Sequence, residues 1–324
     1  MLQYLVVLLD DTSISYCHND NECIESNLMP LDILRKGILF GMKENLMIQF
    51  VYPNYDIPQE YKEVIESIDH SNIMSTSFTD DADVIVMDGT SNIEACHFNY
   101  STSLVLRLTK REFFEHSSII ESFVGTSRRL NIIIKDIESF IDEDYKKYKD
   151  ILLSLNHTIV NLYKKGDRPQ INLLTDRIML DSMNNCGAGD TSICLAPDGN
   201  FYVCPAFYQV DSSKEYGLGR CKFSIGSLNE GVQIPNSNLY KLDFAPICCE
   251  CDAFHCKRCI WLNRKLTYEV NTPGKQQCVV AHIERKASMA LLKELQTKTS
   301  LFKDKNIKDI DYNDPFDKLL KMRY

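Results

Sequence analysis

The chain has 324 residues, 44% hydrophobic and 25% charged. That composition excludes disorder and collagen-like structure, and the length suffices for two domains. Its 36 Lys and Arg face 45 Asp and Glu, a net charge of −9. Nucleic-acid binders present a basic domain or stripe, so no nucleic-acid partner is expected.

Through about residue 180, short apolar runs alternate with helical patterns, the signature of a βα repeat. Tyr4–Leu9 reads as a buried strand, and Leu31–Met42 as a helix with Leu34, Ile38, Leu39 and Met42 on one face. Strand Met47–Tyr52, helix Pro58–Ile68, and strands Asp83–Met87 and Ser103–Leu108 follow. Helix Arg111–Phe123, strand Leu130–Lys135 and a long helix Asp142–Lys165 complete the repeat. Strands buried on both faces and joined by helices predict a parallel sheet, doubly wound or a partial barrel. Beyond about Ala281 helix returns in Ala287–Leu295, and the Lys- and Asp-rich end to Tyr324 reads as a solvated helix or frayed terminus.

The start Met1–Leu9 is apolar but lacks a cationic n-region, and Asp10-Asp11 ends it too soon for a signal peptide. No later stretch reaches the ~18 uncharged apolar residues of a membrane span. The expectation is a cytoplasmic protein without membrane contact. In that compartment thiols stay reduced, and clustered cysteines point to metal rather than disulfides.

Cysteine is the anomaly, because ten of the thirteen lie between Cys186 and Cys278, where helical periodicity vanishes. Small loop-rich regions of this kind hold together through metal. Pro197-Asp198-Gly199-Asn200, flanked by Ile193–Leu195 and Phe201–Val203, predicts a hairpin that brings Cys186 and Cys204 towards one site. Cys248, Cys251, Cys256 and Cys259 form two C-x2-C pairs four residues apart, and each pair can present two thiolates to one metal. Zinc and iron–sulfur clusters both suit such ligands. Tandem pairs alone favour zinc, whereas adding Cys186, Cys204 and Cys278 gives seven spaced cysteines, nearly two four-ligand sites. Cys194 also reads as a small buried strand residue, and Cys249 as a thiol beside the site. His255 reads as a neighbour of the metal or a solvated side chain rather than a ligand.

These residues resemble the SPASM domain, the auxiliary-cluster module of many radical S-adenosylmethionine enzymes. Its pattern is C-x9–15-G-x4-C, then C-x2-C-x5-C-x3-C, then a last Cys. Cys186, Gly199 and Cys204 match the first part, and Cys248 and Cys251 the next pair. Cys256 and Cys259 follow with each gap one residue shorter than in the family, and Cys278 closes the set. Ile225-Gly226-Ser227-Leu228 resembles the family's Ile-Gly-Asn-Leu. The resemblance covers residues 184–282 and implies two [4Fe–4S] clusters. Cys186, Cys204 and Cys259 would bind the first, with Cys194, Cys221 or no protein residue as fourth ligand. Cys248, Cys251, Cys256 and Cys278 would bind the second.

The same resemblance implies an α/β fold: a partial (β/α) barrel of the radical SAM type over 1–183, the SPASM domain over 184–282, and C-terminal helices over 283–324. Such barrels carry C-x3-C-x2-C after the first strand. Tyr16-Cys17-His18 resembles the end of that loop, but the two earlier ligand positions are Asp10 and Ile14. The Gly-Gly-Glu-Pro expected after the second strand is replaced by Tyr52-Pro53-Asn54-Tyr55. S-adenosylmethionine is therefore not expected as a cofactor, and no catalytic residue is assigned. Cys17-His18, Cys23 and Cys96-His97 are the soft ligands from which another site could be rebuilt.

Leu5–Ser13 and Met47–Pro53 also resemble the CXXX repeat peptide maturases, which are associated with cysteine-bearing ribosomal peptides and a separate radical SAM protein. The reading is an iron–sulfur subunit of a peptide-maturation system. It would act in a hetero-oligomer with a catalytic radical SAM protein on a ribosomal precursor peptide. The alternative is a zinc-stabilised interaction protein without a redox role.

Overall fold

The computed structural model describes residues 1–21, 23–77, 81–90, 99–210 and 220–307, with backbone alone at 220 and 221. Cys96, His97 and the chain end beyond 307 lie outside the described residues, as does the side chain of Cys221.

Seven strands follow one another across the sheet in chain order. They are β1 (Tyr4–Leu8), β2 (Met47–Val51), β3 (His70–Ser75), β4 (Val84–Asp88), β5 (Ser103–Leu108), β6 (Arg129–Ile134) and β7 (Gln170–Ile171), each parallel to the next. The other edge of β1 pairs in parallel with β8 (Ser192–Leu195), which pairs antiparallel with β9 (Phe201–Tyr202). The expected hairpin therefore forms and extends the barrel sheet to nine strands. Gly199 makes its turn at φ +76, a conformation L side chains rarely adopt.

Parallel strands sandwiched by helices bury both faces, and Leu5, Val7 and Leu8 have no exposed surface. Helix α1 (Leu31–Lys43) packs closely because Gly37 and Gly41 present no side chain to the sheet. A Cβ on Gly41 would fall 2.7 Å from Ile48 Cδ1. Beyond β2 comes α2 (Gln59–Glu66). β3 escapes the sequence pattern because its first half, His70-Ser71-Asn72, is polar. The helix expected over Arg111–Phe123 is two, α3 (Lys110–Glu115) and α4 (Ser117–Phe123), parted at His116. Helix α5 (Asp142–Lys165) has the expected bounds, with acidic residues in its first turn, Lys164 and Lys165 in its last, and Gly166 at φ +100 beyond.

Three short helices frame the cysteine-rich part: α6 (Thr175–Met179), α7 (Ala206–Gln209) and α8 (Ile260–Thr267). A last helix, α9 (Lys275–Lys298), is continuous across residue 283 and carries Cys278 in its first turn. It lies on α5, where Tyr148, Leu152, Leu155, Leu291 and Leu295 are fully buried. Despite their length, neither α5 nor α9 is apolar enough to cross a membrane, nor is any other helix among the described residues.

Candidate metal centres

Local backbone pairing builds both centres. The amides of Asn184 and Cys186 donate to the carbonyls of Phe254 (2.7 Å) and Lys257 (2.9 Å), which lays the segment before β8 against the second cysteine group. Cys259 caps α8, its sulfur accepting the Leu262 amide at 3.5 Å. Cys186 Sγ accepts the Ala188 amide at 3.4 Å, and Cys251 Sγ accepts that of Ala253 at 3.4 Å. Amides aimed at sulfur favour the thiolate, the form that binds metal.

Cys248, Cys251, Cys256 and Cys278 line a single cavity of about 320 Å³, together with Gln277 and His282. Burial raises all four thiols: Cys248 and Cys256 to about 12, Cys278 to about 11, and Cys251 by a smaller amount. Their charges also act on one another, Cys278 and Cys251 on Cys248, and Cys251 on Cys278. The exposed Cys249 directs its thiol to the Pro246 carbonyl.

Cys186, Cys204 and Cys259 form a second set. Burial pushes the Cys204 thiol well up, and the charges of Cys259, Cys186 and Cys17 push it further. Cys259 is raised chiefly by burial, then by Cys186 and Cys17. Cys17, from the loop after β1, is itself raised by burial and then by the Cys186 charge. Trp261 and Phe207 close the region with rings edge to face at 5.3 Å, and Phe207 meets Phe223 at 5.6 Å.

Arg258 lies between the two sets. It is 1% exposed, its guanidinium lowers both Cys186 and Cys248, and it lines the four-thiol cavity. Nε donates to Asn185 Oδ1 at 3.0 Å and a terminal nitrogen to the Tyr240 carbonyl, while Nη1 has no protein partner.

The remaining candidates are accounted for differently. Cys194 is fully buried in β8, its thiol directed to the Leu195 carbonyl at 3.7 Å, and Asp198 is the charge that raises it beyond burial. His255 is buried rather than solvated, with Nε2 2.8 Å from Glu284, whose other oxygen accepts the Tyr148 hydroxyl. His18 bonds the Ile134 carbonyl at 3.0 Å, and Cys23 lies near the Glu25 carbonyl at 3.5 Å.

At the two positions that the resemblance aligns with the first two cysteines of a radical SAM barrel, Asp10 and Ile14 have other partners. Asp10 accepts the Thr12 amide (2.7 Å) and the hydroxyls of Thr12 (2.6 Å), Ser26 (2.9 Å) and Tyr55 (2.7 Å). Ile14 packs on the core around β1 and β8.

One contact escaped the sequence reading. His282 Nε2 lies 3.8 Å from Cys251 Sγ, and its other nitrogen 3.7 Å from Asp252. Among the described residues, only Cys251, Asp252 and His282 bring three potential ligand atoms within 4.8 Å of one another. The signal was available: His282 is one helical turn from Cys278, on the same face of α9.

No family model matches the sequence, and no curated protein does. Among solved structures, polyhistidine-tagged anSMEcpe with bound AdoMet superposes at a TM-score of 0.60 and 14% identity, over 93% of this chain and 97% of that one. Native anSMEcpe with AdoMet and the Cp18Cys peptide gives 0.59 and 14%, over 92% and 99%. Streptococcus suis SuiB with S-adenosylmethionine gives 0.43 and 12%, over 85% and 77%. The fold is the partial α/β barrel of the radical SAM enzymes, carried on a mostly parallel nine-stranded sheet.

Proposed function

We propose that this chain is an iron–sulfur subunit of a ribosomal-peptide maturation system, working beside a separate catalytic radical SAM protein. The observation that carries this reading is one cavity lined by Cys248, Cys251, Cys256 and Cys278, with a second thiol set packed beside it. The spacing of the thiols supports cubane clusters over zinc. A zinc–sulfur bond of about 2.3 Å holds tetrahedral thiolates only about 3.8 Å apart, and no three of these sulfurs come within 4.8 Å of one another. A four-iron cubane, itself several ångströms across, holds its thiolates further apart.

Cys248, Cys251, Cys256 and Cys278 would hold one [4Fe–4S] cluster, and Cys186, Cys204 and Cys259 the other. Bound clusters of this kind supply one-electron exchange and a cross-link between chain segments. The protein's own part is to present thiolates stabilised by backbone amides, to set the Arg258 cation between two anionic sites, and to exclude water with Trp261 and Phe207. Asp10 and Ile14, bonded and packed as described, offer no thiolates for a radical-generating cluster, which supports a partner as the source of the radical. A peptide as the other partner is supported by likeness of fold to anSMEcpe, whose structure holds the Cp18Cys peptide.

The second reading, a zinc-stabilised interaction protein, draws on the close approach of Cys251, Asp252 and His282. Purification without oxygen, with a visible spectrum and iron, sulfide and zinc measured on one sample, separates the two. About eight irons per chain with matching sulfide are expected for two four-iron clusters. A colourless protein carrying zinc overturns the proposal.

A further inference from the structure

The loop after β1 carries Cys17 and holds it firmly. Arg107, on β5 and 2% exposed, donates from Nε to the Cys17 carbonyl at 2.9 Å. Its terminal nitrogens pair with Asp20 and Asp88 on either side. One residue on, His18 is bonded to the end of β6. From the cysteine-rich side, Gln209 accepts the Asn19 amide at 2.9 Å and donates to the Ser13 carbonyl at 2.8 Å. Gln209 ends α7, the helix that begins two residues after Cys204, so these bonds tie the Cys17 loop to the segment bearing Cys204. Neighbouring Tyr16 packs in the same core as Cys204 and Cys259.

We infer that Cys17 is the fourth ligand of the first cluster, because Arg107 and Gln209 pin the loop after β1 to the segment that bears Cys204, and Tyr16 beside it packs on the core that Cys204 and Cys259 share. The inference rests on the iron–sulfur reading above and completes its ligand set. The electrostatics agree: burial pushes Cys17 up to about 12, and the Cys186 charge is the next contribution. Cys17 appears in turn among the charges acting on Cys204 and Cys259. Cys194 lacks this relation, since no other thiol contributes to its shift.

The chemistry is ligand exchange without electron transfer. The Cys17 thiol would give its proton to solvent, and its sulfur would take the place of a solvent water on the fourth iron, the water leaving to bulk. Four thiolates leave that cluster no open iron, so it would carry electrons or brace the fold and would not bind a substrate directly. A cysteine from the barrel would then be bonded to a cluster otherwise held by the cysteine-rich part.

The test uses the full chain purified without oxygen, in unmutated form and as Cys17→Ser and Cys194→Ala. After mild ferricyanide oxidation, Cys17→Ser is expected to lose one iron per chain and to show the paramagnetic signal of a three-iron cluster. Cys194→Ala is expected to match the unmutated protein. Full iron in Cys17→Ser without that signal overturns the assignment while leaving the iron–sulfur reading intact. An unmutated protein free of iron overturns both. If Cys17→Ser does not fold, alkylation and peptide mapping of the unmutated protein provide the second readout. Cys17 should be blocked while iron is bound and labelled once a chelator removes it, and labelling with iron in place overturns the assignment.

Discussion

Arg258 is a buried cation set between the two groups of thiols that we propose as cluster ligands. Its Nη1 has no protein partner, and its backbone is held at φ +45, so the site keeps it at some cost in conformational energy. A positive charge beside a cluster favours the reduced, more negative state. Arg258→Met should therefore make the reduction potentials of both clusters more negative without removing iron, as read by a redox titration followed in the visible spectrum. Unchanged potentials would show that the guanidinium serves only to bind Asn185 and Tyr240.

Asp10 shows the opposite use of a buried charge. Burial works against its carboxylate, but the bonds from Thr12, Tyr55 and Ser26 outweigh that and hold its pKa below the ordinary range. The sign follows from linkage: a carboxyl depressed on folding stabilises the native state above its unfolded pKa and loses that contribution as pH falls through the folded value. Asp10→Asn should cost about 1–3 kcal/mol at neutral pH by leaving hydroxyls unsatisfied. That deficit should begin to shrink below about pH 4, where this carboxyl protonates in the unfolded chain, and shrink further as pH falls through the lower folded value. Denaturant melts at pH 7 and pH 3 test this, and an equal deficit at both would refute it.

At the scale of elements, α1 and the hairpin β8–β9 decide how closely the helix layer meets the strands beside the cysteine loop. Gly37 lies against Leu195 of β8, and Gly41 against Ile48 of β2. Glycine in a helix interior is unfavourable by about 1 kcal/mol relative to alanine, so its presence twice on one buried face reflects packing. Gly41→Leu should destabilise by about 1–3 kcal/mol despite leucine's better helix propensity, because the added atoms overpack the Ile48 contact. A urea midpoint that rises instead would mean that α1 can lift from the sheet. The helical spacing that predicted α1 and α5 depends on residues that repeat locally. β3 and the break at His116 were missed because their state is decided by neighbours: the polar half of β3 is kept in register by β2, and its second half pairs with β4.

For the whole molecule, the two thiol sets differ in what they join. Cys248, Cys251, Cys256 and Cys278 join the knuckles to α9, and α9 packs against α5. Cys186, Cys204 and Cys259 join the hairpin to α8 beneath the β1 loop. Cys204→Ala and Cys251→Ala should each lose iron and solubility, since metal binding in a small metallodomain is folding free energy. Iron analysis of the soluble fractions checks this, and full iron in both variants would refute the ligand assignment.

Sequence alone was enough for the alternation of strands and helices, the turn at Gly199, and the grouping of cysteines. All three are local, set by side-chain period, by backbone conformation at one residue, or by spacing along the chain. The resemblance to radical SAM barrels also implies that Asp10 and Ile14 stand at positions where that family carries thiolates. Which cysteines face one another was left to tertiary structure, because sulfurs distant in sequence meet only once the sheet and helices have packed. The loop bearing Cys17 is tied in this way to α7 through Gln209, and Cys251 reaches His282 only because α9 returns along α5. No spacing rule encodes such pairs. They follow from where the buried faces of Leu5, Tyr148 and Leu291 oblige the chain to run.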